Sequence, residues 1–264
     1  FAPNNEAISA YLLSKNYHSL EDIPLDQLKD LISYHIVQNS WSIDQLRSLD
    51  IDGWIDPDSR TNNEPRGYKR QSILQESNKE YPVREAYIQG EIETIIVPEG
   101  SNNSTRVVYN NSRKYVPLYY DEFMQAAKIS GSDYAFYFDN IYEPGNLYFA
   151  NAKLLVEEVE GANGKIEIAG EIFAENGFIY EIDQVVEVLP NAEQIMEAGQ
   201  GENNYSQFLN ILHQFSEFSY NKEATLSQEG ADEGLEVADL YNLSFPGLVF
   251  DIHEEITSPS RKYN

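Results

Sequence analysis

The sequence predicts an α+β fold, and three observations carry that expectation. Helical periodicity fills roughly the first 49 residues, and strand-type alternation recurs from about 68 to 188. Asn-Gly pairs at Asn163-Gly164 and Asn176-Gly177 mark hairpin-type turns. Helices first and strands later place the helices to one side of the sheets.

The first helix follows Phe1-Ala2-Pro3, which reads as extended backbone. Asn4 or Asn5 caps it, and Ile8, Tyr11 and Leu12 recur at i, i+3 and i+4. Pro24 suits a first helical turn, after which Leu25, Leu28, Leu31, Ile32 and His35 form one stripe. Ser42-Ile43-Asp44-Gln45 is a capping box, with Ile43, Leu46 and Leu49 on one face. From 50 to 66 the chain turns to Asp, Asn, Pro and Gly, which is loop chemistry. Strands are expected at 68–74, 92–97, 106–109, 134–138, 147–159, 165–169 and 178–188, with a short helix at about 121–128. Beyond Leu189-Pro190 the composition changes, with 13 acids against 3 bases over 191–264. Gly199 and Gly201 separate a short helix from a second, in which Phe208, Ile211, Leu212 and Phe215 recur with helical spacing. A domain boundary is expected near Pro190.

The 264 residues carry 44 acids and 18 bases, a net charge of -26. No surplus of Lys and Arg exists to displace the counterions of a nucleic acid, so that partner class is excluded. Hydrophobic content of 41% and 19 tyrosines support a proper core. The absence of cysteine removes disulfides, thiolate catalysis and cysteine-based zinc sites, and no apolar run reaches the roughly 18 residues needed to span a bilayer.

Three stretches together resemble one family. FAPNNEAI, with Phe1, Ala2, Pro3 and Asn5, resembles the opening signature of fasciclin domains. LKDLISYHIV places Leu31, Tyr34 and His35 on the family's Leu and Tyr-His positions. NGFIYEIDQVVEVLP, with Asn176, Gly177, Asp183, Leu189 and Pro190, resembles the closing signature. Two departures stand out: Tyr180 replaces the usual His of the closing signature, and two extra residues precede its Leu-Pro. The stretch between Asp50 and Tyr134 is also much longer than the family's ordinary middle.

The resemblance implies a wedge of two β-sheets with a helical layer, plus a partial helical segment of a second fasciclin domain. Residues 1–190 would be a fasciclin domain lacking its leading segment and carrying a long insertion at about 50–133. Residues 191–264 would be a linker and the opening helices of a following domain, either packing against the first or leaving Phe1, Ile8, Tyr11 and Leu12 for upstream chain to cover. Members of the family are mostly non-enzymatic surface proteins of adhesion and protein–protein contact. The Asn/Asp/Tyr-rich composition and the absence of Cys resemble Bacteroidetes envelope proteins. This implies an exported protein on the cell surface or outer face of the outer membrane, lipid-anchored through a Cys outside this chain. Its role would be adhesion, or that of an accessory subunit of a nutrient-uptake complex such as a TonB-dependent transporter. No cofactor is implied.

Each candidate site has a plainer reading beside it. The Tyr-His segment is implicated in integrin binding in eukaryotic members, but His35 on an apolar stripe is read here as structural. Asp50, Asp52, Asp56 and Asp58 crowd one loop without meeting the EF-hand pattern, because Trp54 and Thr61 fall at ligand positions. An irregular calcium site there is the weaker reading and a solvated acidic loop the stronger. The histidines at 18, 35, 213 and 253 show no zinc-ligand spacing, and neither GxSxG nor a P-loop occurs. Arg60, Arg66, Lys69, Arg70, Lys79 and Arg84 concentrate a third of the bases within 25 positions, a candidate dock for an acidic partner or a local charge balance. Tyr115, Tyr119, Tyr120, Tyr134, Tyr137, Tyr142 and Tyr148, with Trp41 and Trp54, are either core or a sugar-binding platform. The alternative function is therefore a surface carbohydrate-binding module, with an enzyme a remote third.

Overall fold

A computed structural model describes residues 1–47, 69–97, 104–110, 113–160, 166–199, 204–229 and 238–246. The architecture is mixed α+β. In chain order, the helices are α1 (Asn5–Ser14), α2 (Leu25–His35), α3 (Ile43–Arg47), α4 (Asp121–Ala127), α5 (Gly131–Phe138), α6 (Ala192–Ala198), α7 (Ser206–His213) and α8 (Lys222–Glu229). The first eight strands are β1 (Ala2–Pro3), β2 (Lys69–Gln75), β3 (Lys79–Ile88), β4 (Glu91–Ile96), β5 (Ser104–Val108), β6 (Arg113–Tyr119), β7 (Tyr148–Phe149) and β8 (Ala152–Lys153). The remaining six are β9 (Glu157–Glu160), β10 (Ile166–Ala169), β11 (Glu171–Ala174), β12 (Gly177–Ile182), β13 (Glu217–Tyr220) and β14 (Leu240–Ser244).

The chain divides into two compact units, 1–74 with 113–189, and 75–112 with 190–264. The second unit resumes at Pro190, where the composition changes, and it includes part of the stretch that reads as an insertion.

The first unit contains a sheet of order β1-β12-β11 and a sheet of order β2-β6-β7-β8, with the β9–β10 pair beside them. Ala2-Pro3 is a short strand parallel to β12, with Ala2 opposite Glu181 and Pro3 opposite Ile182. The chain then enters α1, where the Asn4 side chain accepts from the Ala7 N–H at 2.8 Å and so satisfies an orphan donor of the first turn. Ser42 and Gln45 form the expected capping box of α3, whose Ile43 and Leu46 are buried; Leu49 lies outside the described residues. The core joins these helices to both sheets through Tyr34, Leu46, Leu118, Leu147, Phe149 and Ile182. Each such side chain contributes about 1.5–3 kcal/mol on full burial.

Three strand expectations change. The run expected as a strand at 134–138 is α5: Ser130 and Asp133 make a capping box, and Tyr134 and Phe138, one turn apart, face the core while Phe136 is 86% exposed. The single strand expected over 147–159 breaks into β7, β8 and β9, because Ala150 adopts a left-handed φ of 52° and Phe149 pairs back onto Ala152. The strand expected to reach 188 ends at Ile182, where Asp183 accepts from the Lys153 N–H through its Oδ1 at 2.7 Å. The Asn163-Gly164 turn lies outside the described residues. In the other hairpin, Ala174 pairs with Gly177, so Glu175-Asn176 form the turn, one residue before the Asn-Gly pair.

Gly170 links β10 to β11 at φ +90°, and a Cβ there would lie 2.4 Å from the Leu155 carbonyl oxygen. Both facts require glycine.

The second unit is a five-stranded sheet of order β13-β14-β5-β3-β4, with β5 and β14 parallel. The β3–β4 hairpin turns on Gln89-Gly90, both at positive φ, which matches the right-handed twist of the flanking strands. One face carries Tyr81, Val83 and Val108 with Ile96, Phe218 and Leu243. Leu212 of α7 packs with Phe245, Met196 and Leu243. Leu240, one residue out of phase with Tyr241, donates its N–H to Thr225 of α8 at 3.0 Å.

Candidate functional site

Of the motif residues in the first unit, Phe1, Ala2, Asn176 and Gly177 line one cleft, while Tyr34 and His35 hold the fold together. Tyr34 is fully buried and donates its hydroxyl to the Tyr115 carbonyl at 3.0 Å. His35 sits in the last turn of α2, with Nδ1 2.7 Å from the Leu31 carbonyl. Its Nε2 accepts from the Val186 N–H at 3.1 Å. A carbonyl can only accept, so the proton resides on Nδ1 and the ring is neutral. Burial lowers the His35 pKa, the Leu31 hydrogen bond opposing it. This side chain clamps the 183–188 segment onto α2.

Beside it lies an open cleft of about 400 Å³, lined among others by Phe1, Val37, Trp41, Asn176, Phe178 and Tyr180. Aromatic rings run from the core to its rim. Phe1 stacks on the fully buried Phe149 with ring centroids 4.0 Å apart, and lies 5.5 Å from Tyr180. Tyr180 stacks near Phe178 at 6.2 Å, and Phe178 meets Phe173 of β11 at 5.4 Å. Phe173 is 75% exposed. Ile172 and Ile179, a cross-strand pair on the same hairpin, are also exposed.

The Tyr180 hydroxyl lies 2.7 Å from both the Trp41 carbonyl and the Glu171 carboxylate, sharing one proton between two acceptors. Burial first, then the Glu171 bond, pushes its pKa far above that of an ordinary phenol. Glu171 also accepts from the Ile43 N–H at 2.8 Å, so one carboxylate fastens the start of α3 to the β11–β12 hairpin. Tyr180 thus fixes one wall of the cleft. Trp41 is held from its other side by Arg70, whose guanidinium lies 5.4 Å from the ring centroid.

Arg70 is therefore not a surface cation. It is 3% exposed and donates to the Gln45 and Leu46 carbonyls at the end of α3. Lys69 is half-buried next to it, while Arg60, Arg66, Trp54 and the four aspartates 50, 52, 56 and 58 lie outside the described residues. Lys79 and Arg84 belong to the other unit. The basic cluster does not stand as one surface among the described residues. Among the described residues, no group of three or more His, Asp or Glu side chains is placed to hold a metal ion. Asn5 is exposed on α1, and Leu31 is half-buried on α2. Leu189 is 36% exposed near the end of the first unit, and Pro190 begins the resumed second unit.

The second unit buries a polar cluster that sequence reasoning missed. Glu193, at 1% exposure, accepts from the Tyr81 hydroxyl at 2.9 Å and lies 3.2 Å from both His213 Nε2 and Lys79 Nζ. Its partners come from two distant stretches of chain, β3 and α7, which no local spacing reveals. The tyrosines 115, 119, 120, 134 and 148 are buried in the first unit's core, Tyr142 is half-buried, and Tyr137 is exposed beside Phe136.

Comparison with protein-family models gives no match, and comparisons with curated proteins and with solved structures give none.

Proposed function

We propose that this chain is a fasciclin-like, non-enzymatic binding module working by protein–protein contact. It would act at the cell surface, as an adhesion module or as an accessory subunit of an outer-membrane nutrient-uptake complex. The observation that carries the reading is the aromatic series from Phe149 to Phe173, which ends in exposed apolar side chains beside a preformed cleft. Aromatic anchors with a rigid base are the chemistry of interface hot spots. The family reading is supported by the Ala2-Pro3 strand against β12 and by the buried Tyr34 and His35, residues of the signatures that fall in the first unit.

A sugar platform built from residues 115–148 is the weaker reading, because five of its seven tyrosines are core. The exposed ring next to the cleft-lining Phe178 is Phe173, which offers apolar contact without the hydrogen-bonding groups a sugar requires.

The test compares the wild-type protein with Phe173→Asp in pull-downs from detergent-solubilised envelope, alongside a glycan array. A transporter or surface protein retained by the wild type and lost by the variant is the expected result. Equal recovery by both, or glycan binding at this cleft without a protein partner, would overturn the reading.

A further inference from the structure

A second binding surface stands in the other unit, at a distinct set of residues. Strand alternation places Phe218 and Tyr220 of β13, Tyr241 of β14 and Arg106 of β5 on one face of the five-stranded sheet. The Arg106 guanidinium carbon lies 4.2 Å from the Tyr241 ring centroid and 5.8 Å from that of Phe218. Tyr241 in turn meets Tyr220 edge-on at 5.8 Å, and Tyr220 is 51% exposed. The rings hold the guanidinium plane in place before any ligand arrives.

Among the described residues, the charge of that guanidinium has no acidic partner. Its Nε is buried and makes no hydrogen bond, and among the described residues no carboxylate pairs with it. Elsewhere in this acidic chain, cations readily find carboxylates: Lys15 has Glu187, Lys79 has Glu193 and Glu197, and Lys153 has Glu143. A half-buried arginine presents a planar fork that matches a carboxylate with two parallel hydrogen bonds. The excess of acids elsewhere is screened beyond about 8 Å at physiological ionic strength, so the local geometry governs.

We propose that Arg106, Tyr241 and Tyr220 form a recognition site for a carboxylate carried on a sugar ring, the chemistry of a uronic acid residue. The guanidinium takes the carboxylate, and the exposed face of Tyr220 takes the C–H face of the pyranose. A neutral sugar lacks the first contact. Inorganic sulfate lacks the second.

The experiment titrates the full chain with digalacturonate, galactose, inorganic sulfate and an aspartate-rich peptide, reading the Arg106 Nε–H and tyrosine ring resonances by NMR. Digalacturonate should give saturable shifts at these groups, and galactose and sulfate should bind about tenfold or more weakly. Arg106→Gln should weaken digalacturonate binding about ten- to a hundredfold, by loss of charge-assisted hydrogen bonds. Tyr220→Ala, at an exposed position, should weaken it while leaving the fold intact, and decides the matter if Arg106→Gln fails to fold. No saturable response to digalacturonate, equal binding of sulfate, tighter binding of the peptide, or unchanged binding by Tyr220→Ala would each overturn the proposal. None of these outcomes bears on the Phe173 surface, so the two readings fail separately.

Discussion

Each unit buries a histidine in the last turn of a helix, His35 in α2 and His213 in α7, and both are 6% exposed. Their surroundings are opposite. The two ring nitrogens of His35 meet main-chain groups, one carbonyl and one N–H, which a neutral ring satisfies. His213 meets the Glu193 carboxylate, itself shared with Tyr81 and Lys79. Equal burial of the same residue type therefore carries no fixed electrostatic meaning. The partners, main chain for one ring and a carboxylate for the other, set what each burial does.

The largest effect should come from removing the buried carboxylate. Glu193→Ala leaves Lys79 only Glu197 among the described residues and takes from Tyr81 and His213 their shared partner, and should destabilise the second unit by about 3–5 kcal/mol in denaturant unfolding followed by hydrogen exchange. A loss below about 1 kcal/mol would show that the cluster contributes little. Next comes His35→Ala, which strands the Val186 N–H and opens a void, and should cost the first unit about 2–3 kcal/mol by the same measurement.

The third prediction concerns the pH response of His35. The His35 pKa is lowered below its ordinary 6.5 on folding, so between those two values the unfolded chain binds more protons. Its contribution is fully present above pH 6.5 and is lost as pH falls through the depressed folded value. The slope should approach but not exceed about 1.4 kcal/mol per pH unit, and His35→Ala should erase that part of it. An unchanged pH profile in the variant would mean that the ring is not held neutral. The smallest stability effect belongs to Phe173→Asp, at about 0.5 kcal/mol, since only its cross-strand contact with Phe178 is lost. A much larger loss would make Phe173 a structural residue.

The sequence makes the helix starts legible because caps are local: Asn4, Ser42 and their partners lie within three residues of each other. It misleads at 134–138, where an aromatic run masks the Ser130–Asp133 box that makes it a helix. The strand partners were out of reach, since β1 pairs with β12 and β5 with β14, and chain proximity reveals neither. The same limit governs the sites. Phe1, Tyr34, His35 and Tyr180 draw attention as motif residues, yet the Glu171 carboxylate that orders Tyr180 and Ile43 belongs to no motif. Arg70 and Arg106 look alike as sequence, and only their environments make one a helix cap and set the other against aromatic rings.

The pairing of Ala2 with Glu181 also sets a timetable. At synthesis rates of about 5–20 residues per second, the partner of β1 appears roughly 10–35 s after β1 itself. Until then Phe1 has no β12 beside it, and the last layer of the first unit's core cannot close. Folding of this unit is therefore coupled to nearly its whole length, and the second unit's first strands emerge before the first unit can be finished.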